Sequence, residues 1–141
     1  MKIAAHLKLA KSWTTTLAKL DPENDHLAIL EFSMMLGTTL MNAVLHKRGI
    51  TDESFDQNHT NRPPFSKEMM TKVTPDISKM MEMMAFIESA RNLHCRAIGH
   101  DRTAPRVLPK WELNVVSQCA IRLRTIQAFA DVVMQEKSNC D

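Results

Sequence analysis

The stretch Thr74–His100, TPDISKMMEMMAFIESARNLHCRAIGH, decides the fold because it predicts one long helix with a wide apolar face. Apolar residues recur there at steps of three and four, the spacing that lines one side of an α-helix, at Ile77, Met80, Met84 and Ile87. A parallel stripe widens this face with Met83, Phe86, Ala90, Leu93 and Ala97. Such a face needs partners on more than one side, which predicts a helical bundle.

Both ends of this helix carry polar signals. Thr74, Pro75 and Asp76 provide a cap, a first-turn proline and a first-turn acid, and Gly99 is the expected end. The apolar stripe continues onto Arg91 and His94, which we place on its border. Met81 falls off both stripes and is expected to be exposed.

The composition favours a single helical domain spanning residues 1–141. The chain has 11 Met, no Tyr and 3 Gly, with 44% hydrophobic and 24% charged residues. Its three cysteines lack CxxC spacing, which indicates reduced thiols and a cytoplasmic location. We expect no membrane segment, because no apolar run approaches the roughly 18 residues needed to cross a bilayer.

Three further helices are predicted around the central one. The first spans Ile3 to Leu20, with lysines outside an apolar stripe of Ile3, Leu7, Ala10, Leu17 and Leu20. Asp21 should cap a second helix that runs from Pro22 to about Arg48 and ends at Gly49; Gly37 within it suggests a close helix crossing. The last helix starts near Lys110 and carries a clean stripe of Val116, Cys119, Leu123, Ile126, Ala130 and Val133.

The segment between the second helix and Thr74 is a long polar connection. Ser66 can cap a short helical turn through Met69 and Met70 within it. The predicted fold class is therefore all-α: an up-and-down four-helix bundle with a long connection, and room for a short extra helix, between helices two and three.

A dense basic cluster follows the central helix. Seven basic residues lie within twenty positions: Arg91, His94, Arg96, His100, Arg102, Arg106 and Lys110. One interpretation is a contact surface for phosphate or RNA. The other is that these cations complement the helix C-terminus and are simply solvated. The lysines of the first helix leave the same two interpretations open.

The order of elements resembles the HEPN superfamily of small helical domains. The resemblance rests on the phrase Asn42-Ala43-Val44-Leu45-His46-Lys47-Arg48-Gly49-Ile50, the loop histidine His59, spaced arginines in the next helix and a terminal helix. It implies an RNA- or nucleotide-binding module that acts as a homodimer without a cofactor. Catalytic members are metal-independent ribonucleases with an arginine and a histidine four to six residues further on.

This chain departs from that spacing. Two residues separate Arg91 from His94, three separate Arg96 from His100, and eight separate Arg91 from His100. His94 and His100 are the candidate catalytic bases, since an imidazole can take the proton of a ribose hydroxyl, but the spacing puts ribonuclease activity in doubt. A purely structural bundle is the remaining alternative.

No metal site is predicted. Glu23 and His26 have an ExxH spacing without the second such pair that metal bundles use, and Cys95 has no partner at zinc spacing. His46 and His59 are interpreted as polar residues of a helix end and a loop.

Overall fold

A computed structural model of the protein describes residues 1–58, 63–96 and 113–137. Within those ranges it contains helices and no strand: α1 (Ile3–Leu17), α2 (His26–Lys47), α3 (Lys67–Thr71), α4 (Pro75–His94) and α5 (Leu113–Gln135). The four long helices form an up-and-down bundle, and the short α3 lies in the long connection between α2 and α4. The predicted fold class is confirmed.

Helix α2 is the centre of the bundle. It packs against α1, α4 and α5, and α4 also packs against α5. By length and composition alone α2 is apolar enough to cross a membrane, but 72% of its most apolar window is buried within the bundle. Contact with three neighbouring helices accounts for that composition.

Contacts at the helix termini fix the two ends of the bundle. At one end, Arg48 Nη2 after α2 lies 3.2 Å from Asp76 at the start of α4 and 2.7 Å from Glu136 after α5. At the other end, Arg96 Nε after α4 lies 3.0 Å from Glu31 Oε1 near the start of α2. We call these the Arg48 end and the Arg96 end.

The first predicted stripe of α4 and the stripe of α5 are confirmed, since all of these residues are buried: Ile77, Met80, Met84 and Ile87 on α4, and Val116, Cys119, Leu123, Ile126, Ala130 and Val133 on α5. The parallel stripe of α4 is only partly buried: Ala90 is buried and Met83 and Phe86 are half-buried, but Leu93 is 42% exposed, and Ala97 lies outside the described residues. Gly37 lies where α2 meets α4, because a Cβ atom there would clash with Met84 Sδ and lie 3.0 Å from Met84 Cε. The predicted close crossing at Gly37 is therefore correct.

The helix-ending and short-helix predictions are also confirmed. Gly49 has φ +68° and ends α2, and the Ile50 amide donates to Leu45 O at 2.9 Å across the cap. Ser66 Oγ accepts from the Met69 amide at 3.1 Å and starts α3. Burial raises the pKa of Cys119 to about 11, as fits its predicted role as a core residue.

The turn between α1 and α2 differs from its prediction. Helix α1 ends at Leu17 and α2 begins only at His26. Asp21 does not cap α2; its carboxylate accepts from the Glu23 amide at 3.0 Å and from Asn24 Nδ2 at 2.6 Å. These local bonds stabilise a turn in competition with the helix, which explains why the predicted cap was wrong.

Four further predictions of burial or capping need correction. On α1, Leu7 is 37% exposed and His6 takes its place on the buried side at 3% exposure. Arg91 is buried rather than on the border, and Met81 is half-buried against the core rather than exposed. Thr74 precedes α4 but its hydroxyl donates to Asp76 Oδ1 instead of capping the helix. The predicted boundaries at Gly99 and Lys110 lie outside the described residues.

Candidate functional site

The predicted basic cluster is only partly within the described residues. Arg91 is 4% exposed, so burial removes its side chain from the outer surface. Arg96 is exposed at the Arg96 end and pairs with Glu31, and His94 is half-buried on the last turn of α4. His59, His100, Arg102, Arg106 and Lys110 lie outside the described residues.

A second basic surface lies on α1. The buried side of this helix is marked by His6 and Ala10 and faces α2. Lys8 and Lys11 are exposed on the opposite side, which the α-helical repeat places about 180° away. No acidic residue occurs between positions 1 and 20. Helix α1 therefore presents cations to solvent with no carboxylate of its own to neutralise them.

A separate cluster lies at the Arg48 end and joins three distant parts of the chain. His6 comes from α1, His46 from the last turn of α2, and Asp56 from the connection that follows. His6 Nε2 lies 3.0 Å and His46 Nε2 lies 2.8 Å from the same oxygen, Asp56 Oδ1. The two rings have centroids 5.3 Å apart. We call these residues the His6–His46–Asp56 cluster.

Further contacts hold the cluster in place. His46 Nδ1 lies 2.7 Å from Thr51 Oγ1, which fixes the ring from its far side. The amino group of Met1 lies 2.8 Å from Asp56 Oδ2 and donates to Glu53 O. The side chains of His6 and His46 are 4% and 3% exposed, whereas Asp56 is 30% exposed. Both imidazoles are therefore buried beneath a carboxylate that reaches solvent.

Burial and hydrogen bonding both shift the ionisation of this cluster. Burial lowers the pKa of His6 below its ordinary 6.5, against the opposing hydrogen bond with Asp56. Burial tends to raise the pKa of Asp56, but the bonds from the Met1 amino group, His46 and His6 outweigh it and hold the pKa below 3.8. The cluster therefore favours a charged Asp56 beside a neutral His6 near pH 7.

A surface pocket of about 520 Å³ adjoins the cluster. His46 and Thr51 form part of its wall, and so do Met69 of α3 and the residues on either side of that helix, Ser66 and Lys72. Lys72 Nζ donates to Gly49 O at 3.3 Å and lies 3.6 Å from Glu68 Oε1. A small molecule in this pocket would lie against one of the two buried imidazoles.

Sequence reasoning missed the cluster for two reasons. Leu7 took the place of His6 on the α1 stripe, although His6 fits the alternative stripe of Ile3, Ala10, Trp13 and Leu17 equally well. Fifty positions separate His6 from Asp56, and no local motif reports that contact. His46 lies at the end of α2, as its position in the sequence predicts, but the sequence gives no sign of its partner Asp56.

The cluster and the Arg96 end lie at opposite ends of the bundle, whereas the lysines of α1 lie on the other side of the helix that carries His6. Cys95, next to Arg96, has its Sγ 3.4 Å from Leu27 O near the start of α2, whereas His46 lies near the end of α2. At a rise of ~1.5 Å per residue, these two ends of α2 are about 28 Å apart. The cluster and the Arg96 end are therefore separate sites.

Comparisons with protein-family models, curated proteins and solved structures found no match for this chain. The HEPN resemblance consequently stays a prediction, and function has to be argued from the residues themselves.

Proposed function

We propose that this protein is an RNA- or nucleotide-binding helical bundle that contacts phosphate groups through the exposed cations of α1 and the Arg96 end. The observation that carries this proposal is the basic outer side of α1, where Lys8 and Lys11 are exposed and no acid lies among the first twenty residues. Lys19, in the turn after α1, extends that surface in the direction of the Arg96 end.

The physical basis is the release of counterions from a nucleic acid. Each phosphate that a lysine or arginine neutralises makes binding weaker as salt rises, with a slope of about −0.7 per contact for a single strand. Three or four contacts would give a slope of about −2 to −3. The formal net charge of the whole chain is only +2, so we expect binding of moderate strength and little sequence preference.

Fluorescence anisotropy with a labelled single-stranded RNA tests the proposal over a series of salt concentrations. In the double variant Lys8→Gln/Lys11→Gln, we expect affinity to fall by about tenfold at low salt and the salt slope to shrink by about 1.4, because two phosphate contacts are lost. The matched control is Lys79→Gln/Lys137→Gln, which removes the same charge from exposed lysines of α4 and the chain after α5.

Two results would contradict the proposal. One is an affinity that does not change between low and high salt. The other is an equal loss of affinity in the test pair and the control pair, since that would reflect net charge and not the α1 surface.

A homodimeric state and a cytoplasmic location belong to the same proposal. Light scattering of the purified protein at several concentrations checks the first, with a mass twice that of the chain as the expected result. Localisation of the tagged protein in intact cells checks the second.

Ribonuclease activity is the alternative to binding alone. It is supported by His94, which lies half-buried on the last turn of α4 close to Arg96, where a base and a phosphate ligand would be near each other. RNA cleavage would be measured with a chelator present in the wild type, His94→Ala and His100→Ala. Equal rates in all three proteins would remove this alternative.

A further inference from the structure

We propose that His6, His46 and Asp56 form a binding site for a divalent first-row transition metal ion. Within residues 1–58, 63–96 and 113–137, this is the one group of histidine, cysteine and acidic side chains whose ligand atoms converge, all lying within 4.8 Å of one another. The site is at the Arg48 end, far from Arg96, and His6 lies on the side of α1 opposite Lys8 and Lys11. The metal proposal does not depend on RNA binding.

The spacing of the donor atoms is close to what one ion requires. Ligand bonds of about 2.0–2.1 Å place two donors about 2.9 Å apart at a right angle and about 3.4 Å apart at the tetrahedral angle. The two histidine-to-carboxylate distances, 3.0 Å and 2.8 Å, fall at the lower end of this range. The imidazole nitrogens are no more than 4.8 Å apart, so each ring has to move by at most about 0.7 Å to reach tetrahedral spacing.

The far side of His46 is already arranged as metal-binding imidazoles require. A ligating histidine usually donates its other ring N–H to a fixed oxygen, which sets the tautomer and the ring orientation. Thr51 Oγ1 lies 2.7 Å from His46 Nδ1 and is suited to that role. With Nδ1–H donated to Thr51, the lone pair of His46 Nε2 points toward Asp56 and is available to an ion.

The donor set selects the class of metal. Two imidazoles and one carboxylate suit Zn²⁺, Co²⁺ and Ni²⁺, whereas Mg²⁺ and Ca²⁺ prefer sites made only of oxygen atoms. Asp56 is 30% exposed, so an ion can reach the buried nitrogens from solvent. Three protein ligands leave at least one coordination position for water or a small ligand.

The same atoms also form a satisfied hydrogen-bond network without an ion. In that state, both Nε2–H groups donate to Asp56 Oδ1, and the Thr51 hydroxyl donates to His46 Nδ1. The two states differ in the tautomers of both histidines, since each Nε2 must lose its proton to bind an ion, and in the affinity for metal. Direct metal titration therefore distinguishes a metal site from a purely structural tie between α1 and α2.

The experiment is a titration of the tag-free full chain with Co²⁺, followed by the visible absorption of the ion and by calorimetry. We expect one ion per chain and an absorption spectrum of a nitrogen- and oxygen-ligated site. His6→Gln, His46→Gln and Asp56→Asn should each weaken binding by at least tenfold, because each removes one ligand. Thr51→Val should weaken it by about 10- to 100-fold by loss of ring orientation alone.

The matched control is His26→Gln, which removes a half-buried histidine at the start of α2, at the other end of the bundle from the cluster. We expect it to bind Co²⁺ as the wild type does. Circular dichroism of each variant checks that it folds, and Asp56→Asn keeps the size and most hydrogen bonds of the residue if the histidine variants unfold.

Two outcomes would overturn the proposal. In one, the folded wild type takes up no Co²⁺ or Zn²⁺ at micromolar concentrations. In the other, the His26 control loses binding as much as the cluster variants, which would indicate non-specific binding to surface histidines.

Discussion

Gly37 shows how one residue sets the distance between two helices. It lies on the buried side of α2 against Met84, whose side chain is fully buried and occupies the space of a Cβ atom. Glycine inside a helix costs about 1 kcal/mol of helix stability relative to alanine. At position 37 that cost accompanies a close crossing of α2 and α4 that a larger side chain would obstruct. The clash of a larger residue would fall on a core that is already closely packed.

We expect Gly37→Ala to destabilise the protein by about 1 kcal/mol, because overpacking costs about 1–3 kcal/mol and outweighs the gain in propensity. Met84→Ala should cost less in the Gly37→Ala background than in the wild type, since it removes the clashing side chain. Chemical denaturation of the four proteins in a double-mutant cycle checks this. Additive effects would mean that the two residues do not compete for the same space.

The residue scale also shows where sequence reasoning was limited. Periodicity identified ten core positions of α4 and α5 because apolar side chains at those spacings have no other favourable place. It failed at His6, because a polar side chain can be buried only where it has a hydrogen-bond partner. That partner, Asp56, lies fifty positions away in the sequence. The border prediction for Arg91 came from the parallel stripe, which moved the centre of the apolar face away from it, but Arg91 is 4% exposed.

At the scale of elements, α1 is the most independent helix. Among the described residues it packs on α2 alone of the bundle helices, whereas α2, α4 and α5 pack on one another. Trp13 stacks on Phe32 of α2 with ring centroids 5.3 Å apart, and His6 anchors the other end of α1 through Asp56. The element that presents the lysines therefore packs along α2, and a hydrogen bond from Gln127 Nε2 of α5 to Thr14 Oγ1, at 3.4 Å, also joins it to α5.

We expect the amides of α1 to exchange with deuterium faster than those of α2, because local opening of α1 exposes the least buried surface. Trp13→Ala should speed exchange in α1 further while leaving α4 and α5 nearly unchanged. Hydrogen–deuterium exchange read out by mass spectrometry on peptides checks both statements. Uniform protection across the four long helices would instead show that the bundle opens as one unit.

At the scale of the whole molecule, Arg48 closes the end of the bundle where α2, α4 and α5 meet. Its guanidinium bonds Asp76 of α4 and Glu136 after α5, so one side chain joins three elements. The bond from Thr74, together with the Ile77 amide and Arg48, holds the pKa of Asp76 below its usual 3.8 against the opposing effect of burial.

A lowered carboxyl pKa has a definite effect on stability. The folded state binds fewer protons than the unfolded state, so the contribution of Asp76 is present above its unfolded pKa of about 4 and is lost as pH falls through the lower folded value. We expect the wild type to lose more stability than Asp76→Asn between about pH 6 and pH 3. Urea denaturation at each pH checks this, and parallel curves for the two proteins would contradict it.

The whole-molecule fold was predictable from sequence, whereas the site was not. The apolar stripes predict the four long helices. Gly49 marks the end of α2, and Ser66 marks the start of α3. These signals do not specify which helix faces which, so the juxtaposition of His6, His46 and Asp56 and the central position of α2 emerge only from the tertiary arrangement.

The measurement that tests the proposed function most directly is a titration of single-stranded RNA into the isotope-labelled protein, followed by NMR. We predict chemical-shift changes on the outer side of α1, around Lys8 and Lys11, and at Arg96, and these should diminish as salt is raised. The amides around His46 and Asp56, at the end of α2 opposite Arg96 and behind the buried side of α1, should shift less than these. Shifts confined to the His6–His46–Asp56 cluster, or none at all at low salt, would contradict the proposal.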